Sequence, residues 1–101
     1  MLTLNQMLLL KGLIRAGMAT SYRLYQDLKG ESLPIKIASV SVVYPILDSL
    51  IKLGYVEIAE QKTHGKQERK KYKVNGAGEK ALNESELAYQ QVIDFKPQPA
   101  Y

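Results

Sequence analysis

The sequence predicts a small α+β domain, mainly helical, of the winged helix-turn-helix class: helix, helix, short strand, helix, β-hairpin wing, helix. Three observations carry that expectation. Two capped helical stretches, "SYRLYQDLKG" and "SVSVVYPILDSLIKL", follow an N-terminal helical stretch. Two alternating stretches, "YVEIAEQ" and "RKKYKV", flank a polar segment that contains Gly65. Most of the cationic excess falls in that second region. Gln61 to Lys73 holds Lys62, Lys66, Arg69, Lys70, Lys71 and Lys73 against Glu68 alone, a net of +5, while 8 basic and 9 acidic residues elsewhere leave −1.

The first helix starts at a capping box, with Thr3 as N-cap and Gln6 three residues on, and Leu2 placed to staple onto Met7. Met7, Leu10, Leu13 and Ile14 recur at helical spacing, and Gly17 ends the run. Leu8 and Leu9 widen this apolar face, so the helix either fills the centre of its own domain or meets a second subunit as well. Thr20 or Ser21 caps the second helix, which ends at Gly30; Tyr22, Leu24, Tyr25 and Leu28 form its expected apolar side. Ile35 and Ile37 flank a lysine and suggest a strand of two or three residues.

Ser39 is the expected cap of a third helix over 39–53, with Gly54 beyond it. Val40, Val43, Leu47, Leu50 and Ile51 share one face of it, and Ser41, Val42, Tyr44, Asp48, Ser49 and Lys52 the other. Pro45 lies inside this stretch, where a proline ordinarily costs about 3 kcal/mol. A helix starting after Pro45 would strand Val40 and Val43 outside the spacing, so one continuous, slightly bent helix is expected. The hairpin follows, with Val56, Ile58, Tyr72 and Val74 inward and Lys71 and Lys73 outward. Asn75 caps the last helix, which carries Ala81, Leu82, Leu87, Tyr89, Val92 and Ile93. Residues 1–95 are thus expected to form a single winged-helix domain, with 96–101 a flexible tail containing Pro97 and Pro99.

Several function classes are disfavoured. The chain has no cysteine and one histidine, His64, and so offers no thiolate and no obvious metal site or cofactor. Its acids are dispersed, and "GAG" at Gly76–Gly78 lacks dinucleotide-fingerprint spacing, so an enzyme is not expected. Met7–Leu10 is too short to span a bilayer, and the N-terminus lacks a basic leader, so the expectation is a cytoplasmic protein with no membrane partner.

At this point "SYRLYQDL", "VVYPILDSLIKLGYVE" and "RKKYKVNGAGEKAL" resemble the PadR-like transcriptional regulators, within the wider MarR-like winged-helix group. Small archaeal, viral and plasmid regulators look alike in this respect. The matching positions are Tyr22, Tyr44 with Pro45, Leu47 and Leu50 with Gly54, and Ala77 with Gly78, and the likeness spans about residues 3 to 82. Ser21 departs from the glycine usual there, and the C-terminal region is shorter than in many relatives.

The resemblance implies a homodimeric DNA-binding repressor that places its third helix in the major groove of a palindromic site. The residues suit that role independently. Ser39, Ser41, Val42, Tyr44, Pro45, Ser49 and Lys52 are the candidate recognition-helix contacts; simple solvent exposure is the competing reading for Ser41 and Ser49. Lys62, His64, Lys66, Arg69, Lys70 and Lys71 are the candidate wing contacts to phosphate. Leu8, Leu9, Leu82, Tyr89, Val92, Ile93 and Phe95 are the candidate dimer contacts. The helix face carries no arginine, asparagine or glutamine, which keeps a protein–protein interaction module without sequence-specific DNA binding as the alternative. Relatives that bind small aromatics make an effector conceivable, though nothing in the sequence marks its pocket.

Overall fold

The computed structural model describes residues 1–31, 37, 39–65 and 67–97. Four helices and three strands follow in order: α1 (Leu4–Ala16), β1 (Ala19–Thr20), α2 (Ser21–Lys29), α3 (Val40–Lys52), β2 (Val56–His64), β3 (Gln67–Val74) and α4 (Gly76–Asp94). Among the described residues no helix is long and apolar enough to cross a membrane.

Local chemistry sets most of the helix ends. At α1 the Thr3 hydroxyl accepts from the Gln6 amide and the Gln6 side chain accepts from the Thr3 amide, so the capping box is complete. Thr20, rather than Ser21, caps α2 by accepting from the Arg23 amide at 3.1 Å. At the end of α3 the Tyr55 amide donates to the Leu50 carbonyl and the Gly54 amide to that of Ile51, a Schellman closure that requires the positive φ of Gly54, +79°. Ser39 holds the N-cap position of α3, but its side chain makes no cap bond to an amide; its hydroxyl lies 2.6 Å from that of Ser41 instead.

Helix α3 runs unbroken through Pro45, the sixth of its residues. The hydrogen bond the proline cannot donate is the one to the Ser41 carbonyl. Ser41 is exposed, so water can satisfy that oxygen, and the usual desolvation penalty is avoided.

The core gathers where α1, α2 and α3 meet. Leu9, Leu10, Leu13, Leu24, Val43, Leu47 and Leu50 are almost wholly buried, with Leu2, Met7, Leu28, Ile37, Val56, Tyr72 and Leu82 around them. Gly12 permits the close approach of α1 and α2: a Cβ there would stand 2.7 Å from Leu24 Cδ1. One α1 expectation changes: Ile14, placed at the apolar spacing, is 41% exposed, while Leu9 fills the centre of its own domain, the first of the two alternatives. Leu9, Leu10 and Leu13 are the positions that neighbouring helices cover on a helix apolar on more than one side.

The sheet order is β1-β3-β2, antiparallel throughout. Its third strand comes from Ala19–Thr20, paired to Tyr72 and Lys71, ahead of α2. The strand expected at Ile35–Ile37 falls outside the described residues except for Ile37, which is buried and outside any strand. Lys66, the side chain of His64 and the tail beyond Pro97 also lie outside them.

The hairpin is longer than the sequence suggested, because pairing continues to His64 opposite Gln67 and the chain turns at Gly65, φ +60°. A register shift between Ile58 and Glu60 marks a bulge on the edge strand β2, and Ile58, expected inward, is 42% exposed there.

Helix α4 returns the chain to its start. The Leu2 amide donates to the buried Ser85 hydroxyl at 3.1 Å, and the Tyr89 hydroxyl donates to the Leu2 carbonyl at 3.0 Å. These bonds satisfy both backbone groups of one buried residue and tie the residue just before the α1 cap to α4.

Candidate nucleic-acid interface

Spacings of three and four residues put Ser41, Tyr44, Pro45, Asp48 and Lys52 on one side of α3. All five are exposed, as is Val42 beside them. The opposite side, Val43, Leu47 and Leu50, is sunk in the core. A helix anchored by one apolar stripe presents the other at a fixed angle, which is what reading a groove requires.

Ser49 leaves the recognition set. It is half-buried, its hydroxyl donates to the Ile46 carbonyl at 2.7 Å, and it accepts from the Gln6 amide nitrogen at 3.1 Å. Its place is the seam between α1 and α3. Spacing alone had put it with the polar face because serine suits solvent and a helix seam equally.

A groove of about 770 Å³ runs along the exposed side of α3, lined by Thr20, Ser21, Tyr22, Tyr44, Asp48, Arg69, Lys70 and Tyr72. It brings together the start of α2, the middle of α3 and the body of the wing. Tyr22, assigned from sequence to the apolar side of α2, is 59% exposed and faces this groove. The signal was present: Leu24 and Leu28 define the buried side of α2, and Tyr22 sits about 200° around the helix from Leu24. Asp48 and Thr20 also line the groove and were absent from the expected contacts.

On the wing, Lys62 lies directly opposite Arg69 across the β2–β3 ladder. Like charges in facing positions oppose pairing, and a polyanion placed between them turns that cost into attraction. Lys71 is partly neutralised by Glu60 at 3.5 Å, and among the described residues neither Lys62, Arg69 nor Lys70 has an ion pair of this kind. Lys70 is half-buried and joins Arg69 on the groove wall.

Tyr72 forms the floor. Burial first, then the Asp48 carboxylate and Tyr44, raise its phenol above the usual value of 10.0. The unfolded chain loses that proton near pH 10, whereas the folded domain holds it longer. The stability it lends is therefore complete below about pH 10 and is lost as pH rises through the folded value. In an alkaline titration followed by phenolate absorbance, one of the seven tyrosines is expected to ionise late, together with unfolding; Tyr72→Phe should remove that late step.

The candidate dimer contacts separate into two groups. Leu9 is completely buried and Leu82 is 5% exposed, so neither is available to another subunit. Leu8 and Tyr89 are half-buried against the domain's own core, and the Tyr89 hydroxyl is committed to Leu2. Val92, Ile93 and Phe95 are more than 70% exposed, and Leu87, not among the expected contacts, is 66% exposed.

The arrangement of an anchored exposed helix beside a cationic hairpin has known counterparts. The family model for the transcriptional regulator PadR-like family matches residues 9–84. The chain belongs to the PadR-like family of transcriptional regulators. Its fold is close to that of a PadR family transcriptional regulator from Eggerthella lenta DSM 2243, with a TM-score of 0.73, 27% identity, and coverage of 88% of this chain and 74% of that one. A transcriptional regulator from Thermoplasma acidophilum matches at TM-score 0.66 and 26% identity over 90% of this chain and 87% of its own. Bacillus subtilis PadR, solved in complex with operator DNA, matches at TM-score 0.64 and 26% identity over 97% of this chain and 51% of that one. No curated protein matches the chain. The sequence resemblance stated from Tyr22, Tyr44, Pro45, Gly54 and Gly78 is thus confirmed, and this PadR-like chain is a DNA-binding transcriptional regulator.

Proposed function

We propose that this PadR-like regulator acts as a homodimeric repressor that lays α3 into the major groove of a palindromic duplex site and rests its β2–β3 wing on flanking phosphates. One observation carries the reading: Tyr44 and Asp48 of α3, Tyr22 of α2, and Arg69 and Lys70 of the wing line a single groove. Base-reading side chains and phosphate-binding cations then face the same side, as one duplex requires. The operator complex of the B. subtilis relative supports it. Titration of a duplex at several salt concentrations tests it, since phosphate contacts make log K fall linearly with log salt. Binding that ignores salt would reject the wing's role, and equal affinity for all duplexes would reject base reading by α3.

The dimer surface in this proposal is the last two turns of α4. Leu87, Val92, Ile93 and Phe95 leave an apolar stretch in water, with a tendency to be covered. Two-fold pairing there would present two α3 helices to successive major grooves, roughly 34 Å apart. Replacing Val92 and Ile93 together by aspartate is expected to yield monomers in sedimentation velocity. Both side chains are exposed in the single chain, so the variant should keep a helical circular-dichroism spectrum, while its melting midpoint loses the concentration dependence that a dimer confers. A dimer that survives both changes would place the interface elsewhere.

A further inference from the structure

We infer that Asp48 is a base-reading residue of α3, selecting cytosine by accepting a hydrogen bond from its exocyclic amine; this rests on the proposal that α3 enters the major groove. The exposed residues of the helix face are Ser41, Val42, Tyr44, Pro45, Asp48 and Lys52. The hydroxyls of Ser41 and Tyr44 donate or accept, so each tolerates several base edges. Val42 offers a methyl contact to thymine, Pro45 offers no donor or acceptor side chain, and Lys52 can only donate. Asp48 is the one acceptor-only side chain on the face.

That chemistry is selective in a major groove. Guanine presents N7 and O6 and thymine presents O4, all acceptors that repel a carboxylate. Adenine offers an amine, but with the N7 acceptor beside it. Cytosine offers its amine without an acceptor of its own on that edge. A carboxylate therefore discriminates through repulsion as well as attraction, and both contribute to specificity.

The surroundings allow an acid to approach DNA. Asp48 lines the same groove as Tyr44 and Tyr72, whose wing side carries Arg69 and Lys70. Those cations offset the repulsion between the carboxylate and the backbone phosphates. Among the described residues no lysine or arginine forms an ion pair with Asp48, so its oxygens are not committed to one. The residue is exposed, and removing its charge leaves the core stripe of α3 intact.

Selection from a randomised duplex pool, read by sequencing, tests this with the wild-type chain, Asp48→Ala and the isosteric Asp48→Asn. The wild type is expected to enrich cytosine at one position of each half-site, with a discrimination of roughly 5- to 150-fold. Asp48→Ala should lose that preference while keeping the others. Asp48→Asn should shift it toward adenine, whose N6 and N7 match the amide. If Asp48→Ala keeps the same profile and binds every duplex more tightly, the acid merely repels phosphate and the inference is overturned. If the wild type enriches no sequence at all, base reading by α3 fails, and the role of Asp48 fails with it. Thermal melts of all three proteins should coincide, which separates a change in reading from a change in folding.

Discussion

Replacing Lys62 and Arg69 together by alanine is expected to flatten the salt dependence of duplex binding by about 1.8 log units per log of salt for each protomer. Each phosphate neutralised contributes about 0.9 to that slope, because binding releases condensed counterions. The two residues face one another across the wing, and among the described residues neither has an acidic partner to release first. The affinity loss should be roughly 60-fold per protomer at 0.1 M salt and should shrink toward nothing near 1 M. Lys80 is the control. It sits on α4 beside Glu84, well exposed and outside the groove, so Lys80→Ala should leave the slope unchanged. A double variant that weakens binding equally at low and high salt would mean the wing acts by shape rather than by charge.

The largest effect on stability is expected from Gly78→Ala, a loss of roughly 2 to 3 kcal/mol from forced repacking. The added methyl would collide with the Tyr55 carbonyl oxygen and stand 2.7 Å from Val74 Cγ1. That carbonyl cannot simply retreat, because it accepts the Asn75 amide at 3.1 Å. Asn75 in turn caps α4 by accepting from the Gly78 amide at 2.9 Å, while its side-chain nitrogen donates to the Gly54 carbonyl at 2.8 Å. The start of α4 is thus clamped onto the turn that ends α3, and a shift of one displaces the other. For a domain of this size the melting midpoint should drop by about 10 to 20 °C. Gly76→Ala is the comparison, since a Cβ there meets nothing within 4 Å. A Gly78→Ala variant that melts with the wild type would show that α4 can re-dock without this close approach.

Gly78 also shows how much of the fold was legible along the chain. The "NGAG" stretch marked a capped helix start, because Asn75 reaches an amide only three residues away. It gave no hint that Gly78 must be bare, since the colliding atoms belong to Tyr55 and Val74. The same division holds elsewhere. The Thr3–Gln6 box, the Gly54 closure and continuity through Pro45 depend on groups within one or two helical turns, and the structure agrees with the reading of each. The paired wing strands were legible as well, from alternation and a glycine between them.

Leu9, Leu82, Ser49 and the Ala19–Thr20 strand all turn on a distant element. Leu9 and Leu82 were offered to a second subunit because an apolar residue carries no record of which surface covers it; the domain's own core does. Ser49 suits solvent by its spacing, but the side chain of Gln6, 43 residues earlier, donates to it across the α1–α3 seam. Ala19–Thr20 is a strand only because the β3 edge lies alongside; two residues carry too little periodicity to announce one. From the order of residues came the helix ends, the wing and its charge, and the family, since caps, periodicity and local charge are properties of short segments. The groove in which Tyr22, Asp48, Arg69 and Lys70 meet came from packing, because residues up to 48 positions apart share a wall only once α2, α3 and the sheet have closed around one core.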